Sequence, residues 1–282
     1  MQLREIDAGL ISEACRRLFI KANYYLNSDI MNKLKEYNSR EISEIGREIL
    51  DRIIENAEIA AQNEIAICQD TGMCVVFLEI GQDVHIKGMN ISDAVNEGVK
   101  AAYRDGCLRK SVVSDPLARK NSGDNTPAVI HYEIVPGDQI KIQVMPKGFG
   151  SENMSAVRML KPAEGVEGVI DFVVDTVTKA GSNPCPPIIV GVGIGGTFEK
   201  AAFLAKKALL RPLDRPNTDE YYGKLENELL CRINNLGIGP QGLGGITTAL
   251  AVNIETYPTH FAGLPVAVNI TCHASRHEEE II

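Results

Sequence analysis

Pro187-Ile188-Ile189-Val190-Gly191-Val192-Gly193-Ile194-Gly195-Gly196 decides between fold classes. A short, continuous apolar run rich in β-branched residues suits a buried strand. Two glycines end it, and Phe198–Leu210 resumes with helical spacing. A strand that feeds straight into a helix belongs to a fold that mixes the two. Toward the C-terminus, Thr218–Asn235 reads as a helix, and Thr248–Glu255 and Pro265–Thr271 read as strands. Immediately upstream, Glu164–Ala180 carries Val166, Val169, Ile170, Val173, Val174 and Val177 on one helical side.

Farther upstream the alternation continues. Ala128–Val135 and Gln139–Met145 read as strands with Pro136-Gly137-Asp138 as the turn between them. In the second, Ile140, Ile142 and Val144 alternate with Lys141 and Gln143, so one face meets water. Ile91–Cys107 reads as a helix with Ser92 as N-cap and Gly106 as stop. Cys68-Gln69-Asp70-Thr71-Gly72 reads as a polar turn before a strand at Met73–Ile80. Ile6–Leu26 and Arg40–Asn63 read as helices, the latter with an apolar stripe through Ile42, Ile45, Ile49, Leu50, Ile53, Ile54 and Ala57. The expectation is an α/β fold, mixed sheets flanked by helices, with a helical N-terminal region. The Pro-rich segment Arg211–Asn217 reads either as a subdomain boundary or as a surface loop.

The 282 residues allow one large domain or two modest ones. A net charge of −8 makes the chain a poor binder of nucleic acid or of anionic membrane, both of which need a cationic surface. No apolar run reaches the ~18 residues of a membrane span. The N-terminal Met1-Gln2-Leu3-Arg4-Glu5-Ile6-Asp7 has acid where a signal peptide wants base, so a cytoplasmic protein is expected. Seven cysteines without such a signal argue for thiols that are buried, catalytic or metal-bound rather than for a disulfide framework.

Cys15 and Cys231 fall inside helical patterns, Cys74 in a strand and Cys107 at a helix end, and all four read as small buried hydrophobes. Cys68, Cys185 and Cys272 differ. Each stands at the end of an element, where its sulfur can face a cleft and receive backbone N–H groups, as an iron–sulfur ligand requires. Prolines on both sides stiffen Cys185. No compact Cys-x-x-Cys pair exists, so spacing leaves metal ligands and ordinary thiols both open. Three thiolates on a cubane cluster would leave one iron open to act as a Lewis acid.

Three glycine-rich segments are also ambiguous. Gly191, Gly193 and Gly196 match G-x-G-x-x-G formally, but the following acid, Asp214, sits among prolines rather than at a strand end. A close-packed strand-to-helix turn competes there with a nucleotide site and with the glycine wall of another active site. Lys147–Met154 reads as a tight turn or as an anion site. Gly237–Gly245 reads as a flexible loop.

Taken in order, these pieces resemble a known family. Cys68-Gln69-Asp70-Thr71-Gly72, Leu108-Arg109, Gly123-Asp124-Asn125-Thr126-Pro127-Ala128, Lys147–Met154, Asn183-Pro184-Cys185-Pro186-Pro187, Gly191–Gly196, Gly242-Leu243-Gly244-Gly245, His260 and Cys272 follow one another. The set resembles the α-subunit, or N-terminal half, of class I iron–sulfur fumarate hydratases and the related L(+)-tartrate dehydratases. The resemblance spans about Ile6 to Cys272 and treats residues 1–282 as one catalytic α-subunit.

The resemblance implies a [4Fe–4S] cluster on Cys68, Cys185 and Cys272, with one iron not ligated by protein. It implies substrate contacts at Gln69, Asp70, Arg109, Gly150, Asn153 and His260, with Asp70 and His260 in catalytic roles. The implied reaction is reversible hydration of fumarate to L-malate, with L(+)-tartrate dehydration as the alternative and a nucleotide-binding oxidoreductase as a remote one. One-chain members continue into a second domain that supplies further substrate-binding groups and a base. Here the chain stops at Ile282 after Glu278-Glu279-Glu280, which reads as a solvated tail. A separate β-subunit, in an α2β2 assembly, is therefore expected to complete the site.

Overall fold

The computed structural model describes residues 3–282. In chain order its first elements are β1 (Arg4–Asp7), α1 (Ala8–Tyr24), α2 (Ser28–Arg40), α3 (Glu44–Asn63), β2 (Met73–Gly81), β3 (Val84–Lys87) and α4 (Ile91–Asp105). Then come β4 (Val129–Val135), β5 (Ile140–Lys147), α5 (Phe149–Glu152), β6 (Ala156–Leu160) and α6 (Gly165–Ala180). The rest is β7 (Ile188–Gly195), α7 (Phe198–Ala208), α8 (Glu220–Asn234), β8 (Ala249–Tyr257), β9 (Leu264–Thr271) and β10 (Glu278–Ile281). The chain divides into two interleaved compact units: residues 1–27, 57–149 and 276–282 form one, and residues 28–56 and 150–275 the other. The 211–217 segment is loop within the second unit. Among the described residues no helix is long and apolar enough to cross a membrane.

In the first unit a four-stranded sheet has the order β10-β5-β2-β4. β4 and β5 do not pair with each other. β2 lies between them, parallel to β4 and antiparallel to β5, so the 136–138 turn spans its end. Ile140, Ile142 and Val144 of β5 join Cys74, Val76 and Leu78 of β2 in a core covered by α1 and α4. Lys141 and Gln143 face the other way and bind Glu279. The terminal glutamates are thus part of a strand, not a free tail, because β5 offers an open edge and Lys21, Lys141 and Arg17 pair with Glu278, Glu279 and Glu280. The Asp7 side chain caps α1 through Gly9 N at 2.7 Å. Asn90, not Ser92, caps α4, its Oδ1 accepting from Ser92 N at 2.8 Å.

The second unit is built on the sheet β6-β9-β7-β8. β7 is parallel to β8 and antiparallel to β9. Val190, Val192 and Ile194 enter a core completed by Val173 and Val177 of α6 and Leu229 and Ile233 of α8. Gly191 and Gly193 point to the opposite face, where α7 packs. A Cβ on either would lie 2.1 Å from a carbonyl of α7, Ala205 O or Ala201 O. These glycines therefore permit helix-on-strand contact inside the strand. They do not form a phosphate-binding loop after it, and close packing is the reading the fold supports.

Candidate active site

The first unit presents the Cys68 turn. Cys68 is half-buried, and Asp70 N donates to its Sγ at 3.4 Å. The Asp70 carboxylate shapes the turn, accepting from Gly72 N at 3.0 Å and from Phe149 N at 2.9 Å. Each oxygen keeps a second lone pair for another donor. Arg276, only 3% exposed, donates to Asp70 O at 2.7 Å and to Asn23 Oδ1 at 3.1 Å. Its Nε has no partner among the described residues. The buried guanidinium thus braces the backbone of the cysteine turn. Sequence reading missed Arg276, because its role depends on contacts that span more than 200 positions.

Arg109 is tied to the same turn, since Thr71 Oγ1 donates to Arg109 O at 2.9 Å. Buried Asn125 braces the surroundings: its Oδ1 accepts from Ser111 N at 2.7 Å and its Nδ2 donates to Gly72 O at 3.2 Å. Gln69 and Arg109 are themselves exposed. The first unit therefore brings Cys68, Gln69, Asp70 and Arg109 together.

In the second unit the sheet does the gathering. Ile189 of β7 pairs with Thr271 of β9, so Cys185 and Cys272 emerge at the same end of adjacent strands. Nδ1 of His273 lies 3.0 Å from Cys185 O. Gln241 donates to Pro186 O through both its backbone N and its Nε2, each at 2.8 Å. Its Nε2 lies 3.2 Å from His273 Nδ1. A proton on Nδ1 satisfies Cys185 O, and Gln241 Nε2 then donates to Pro186 O alone. Cys185 and Gln241 both adopt left-handed backbone, with φ of 55° and 53°. Such conformations cost non-glycine residues on the order of 1 kcal/mol each and cluster at functional sites.

The Gly237–Gly245 loop is not a loose connection. A Cβ on Gly242 would lie 2.3 Å from Ser182 Cβ, so the loop packs directly against the Cys185 segment. Buried Glu41 holds the loop's far end, accepting from Ile246 N at 3.1 Å and Thr247 N at 2.9 Å as well as from Ile42 N and Ser43 N. Burial raises the Glu41 carboxyl, but these hydrogen bonds outweigh it and hold the group below its ordinary value. Gly150 completes the cluster of loops, a Cβ there lying 3.9 Å from Asn183 O. Asn153 follows one turn later and is exposed. A cavity of about 340 Å³ opens beside these loops, lined by Ile49, Arg52 and Ile53 of α3 with Gln241 and His273.

His260 stands elsewhere. It lies in the β8–β9 connection, where Gly195 pairs with Tyr257 and Thr259 donates to Gly196 O. That is the opposite end of the sheet from Cys185 and Cys272. The eight residues of β9 separate them by on the order of 25 Å. Nδ1 of His260 accepts from Ala262 N at 3.2 Å.

The remaining cysteines sort by burial. Cys15 and Cys74 are buried, and burial pushes the Cys15 thiol up to about 12 and the Cys74 thiol higher still. Cys107 and Cys231 are exposed rather than buried, because one follows the end of α4 and the other lies on the outer side of α8. Among the described residues no three His, Cys, Asp or Glu side chains are gathered closely enough to hold a metal ion. Cys68 is part of the first unit, and Cys185 and Cys272 are part of the second.

The sequence profile of the family described as Fumarate hydratase (Fumerase) matches residues 12–280. A Methanocaldococcus jannaschii protein, provisionally named L(+)-tartrate dehydratase subunit alpha, is 47% identical over 272 residues, which is 94% of this chain and 95% of that protein. The L(+)-tartrate dehydratase subunit alpha of Escherichia coli K12 is 34% identical over 252 residues, covering 88% of this chain and 82% of that protein. With the match running through every loop described above, the chain belongs to the fumarate hydratase family and is a hydro-lyase of its α-subunit class.

Proposed function

We propose that this chain is the α-subunit of an iron–sulfur hydro-lyase that adds and removes water at a C4 dicarboxylate, with fumarate and L-malate as its pair. The observation that carries the reading is the shared sheet end of Cys185 and Cys272, bound together through His273 and Gln241. The donor chemistry fits a cluster. The three cysteines that match the family motifs lie in loops and are at least partly exposed, while Cys15 and Cys74 are held neutral by burial. The buried, incompletely paired Arg276 beside the Cys68 turn supplies positive charge to balance a thiolate-bound anion. Cys68, Cys185 and Cys272 would hold the [4Fe–4S] cluster, and the reading requires them to act on one group. When bound, the cluster supplies a Lewis-acidic iron that no protein thiolate occupies, which polarises a substrate oxygen.

The chain's own residues bind and orient the diacid. Arg109 offers a forked, always-charged guanidinium that matches one carboxylate in bidentate fashion. The backbone N–H at Gly150 and the Asn153 amide offer neutral donors to the other end. Gln69 contributes an amide beside Cys68. Asp70, with one lone pair of each oxygen already engaged, orients a hydroxyl donor and keeps the turn in shape. These donors hold carboxylate charge that grows as a C–H proton next to it is removed. The base for that proton is assigned to a β-subunit, consistent with relatives named as α-subunits. His260 does not reach a substrate held at Cys185 and Cys272 of its own chain, so a catalytic part for it requires a second chain, as in an α2β2 assembly.

L(+)-tartrate is the second reading, favoured by the names of the relatives. Initial rates of the anaerobically purified complex with L-malate, fumarate and L(+)-tartrate separate the two. The fumarate reading expects the higher kcat/KM for the fumarate–malate pair, with activity lost in air and restored by Fe(II) and thiol. A preference for tartrate overturns it, and activity indifferent to air and chelator overturns the cluster.

A further inference from the structure

The sheet of the first unit ends on one side in β4, and among the described residues no strand pairs with its outer edge. Open edges invite pairing, and chains usually blunt them with charge. The opposite edge, β10, is blunted in that way by Glu278, Glu279 and Glu280. β4 is not. Val129 is 39% exposed, Tyr132 46% and Ile134 66%. The strand contains no proline or glycine.

Its sequence, Val129-Ile130-His131-Tyr132-Glu133-Ile134-Val135, is close to a palindrome. Two copies laid antiparallel about Tyr132 place Val129 opposite Val135, Ile130 opposite Ile134, and His131 opposite Glu133. Every facing pair is then apolar, aromatic or complementary in charge. The faces agree as well. Tyr132 Oη lies 2.7 Å from Ser92 Oγ on the α4 side, while the His131 ring stacks on Phe77, centroids 4.8 Å apart, on the other. Antiparallel strands keep each face continuous, so Ile130, Tyr132 and Ile134 of one copy meet the same set of the other, and His131 meets Glu133.

We infer that the outer edge of β4 is a self-association surface, pairing antiparallel with β4 of a second copy about a twofold axis at Tyr132. The contact is isologous and closes on itself, giving a dimer rather than a filament. It joins two four-stranded sheets into one and removes the open edge from both. The pairing depends on strand geometry and side-chain complementarity, and on neither the substrate nor the cluster.

The test is light scattering coupled to size exclusion over a dilution series of the full chain, with amide deuterium exchange across residues 129–135. Glu133→Lys brings like charge against His131 at both symmetric positions and is expected to weaken dimerisation about ten-fold or more. The double variant His131→Glu/Glu133→Lys exchanges the charges and is expected to restore it. Amides of β4 are expected to be slow to exchange in the wild type and the double variant and faster in Glu133→Lys. A wild-type chain that stays monomeric at tens of micromolar overturns the inference. So does a dimer whose mass and β4 exchange are the same in all three proteins, or an edge protected only by a different protein.

Discussion

Glu41 shows how much of this protein depends on single side chains that no motif marks. Its carboxylate accepts four backbone N–H groups, two from its own turn and two from residues 246 and 247, some 205 positions away. In sequence it is one acid among 37 acidic residues, and only tertiary contact gives it meaning. Gln241 is similar: the sequence shows a polar residue in a glycine-rich loop, and the structure shows the clamp on the Cys185 segment. Because the Glu41 carboxyl is lowered on folding, its contribution is fully present above the ordinary glutamate value. That contribution is lost as pH falls through the lower folded value. Glu41→Gln sets an amide N–H against backbone N–H donors, and a loss of about 2 kcal/mol is expected at neutral pH. Urea unfolding should show the gap between wild type and variant narrowing below pH 4.5, the ordinary value of the group. A gap that is constant with pH would exclude the ionised role.

At the scale of elements, strong apolar periodicity was readable and weak patterns were not. β7, α6 and α8 bury side chains at regular spacing, so the sequence announces them. β1, β3 and β10 have only four residues each, and a run of three glutamates gives no hint of the β5 edge it binds. The order β5-β2-β4 was also hidden, since nothing local says that a strand from upstream enters between two consecutive ones. The alternating glycines of β7 were legible as a motif but ambiguous in meaning until α7 was seen against them. Gly193→Ala places a methyl carbon 2.1 Å from Ala201 O and 2.6 Å from Ala205 N. The helix must move off the strand, and a loss of about 2–3 kcal/mol in chemical unfolding is expected. A stable Gly193→Ala variant that binds NADH less well than wild type would revive the nucleotide reading instead.

Across the whole molecule, the chain crosses between its two units repeatedly, so neither unit is a continuous stretch. Composition is uniform along such a chain, and no linker marks the passage. The same interleaving separates the cysteines in sequence: the Cys68 turn belongs to one unit and the Cys185 and Cys272 ends to the other. Family motifs made all three visible as candidates, and register made the Cys185–Cys272 pairing visible as structure. His260 was the motif residue that the sheet sent to the far end, because strand direction cannot be read from residue order alone.

The central claim is that three loop thiols of this chain hold one cluster. Iron and acid-labile sulfide should be counted per α-chain after anaerobic reconstitution, in the wild type and in five serine variants at Cys68, Cys185, Cys272, Cys107 and Cys231. The account predicts a full cluster in the wild type and in Cys107→Ser and Cys231→Ser, and loss of most iron and sulfide in each of the other three. A wild type that takes up neither element, or a Cys68→Ser variant that retains both in full, would contradict it.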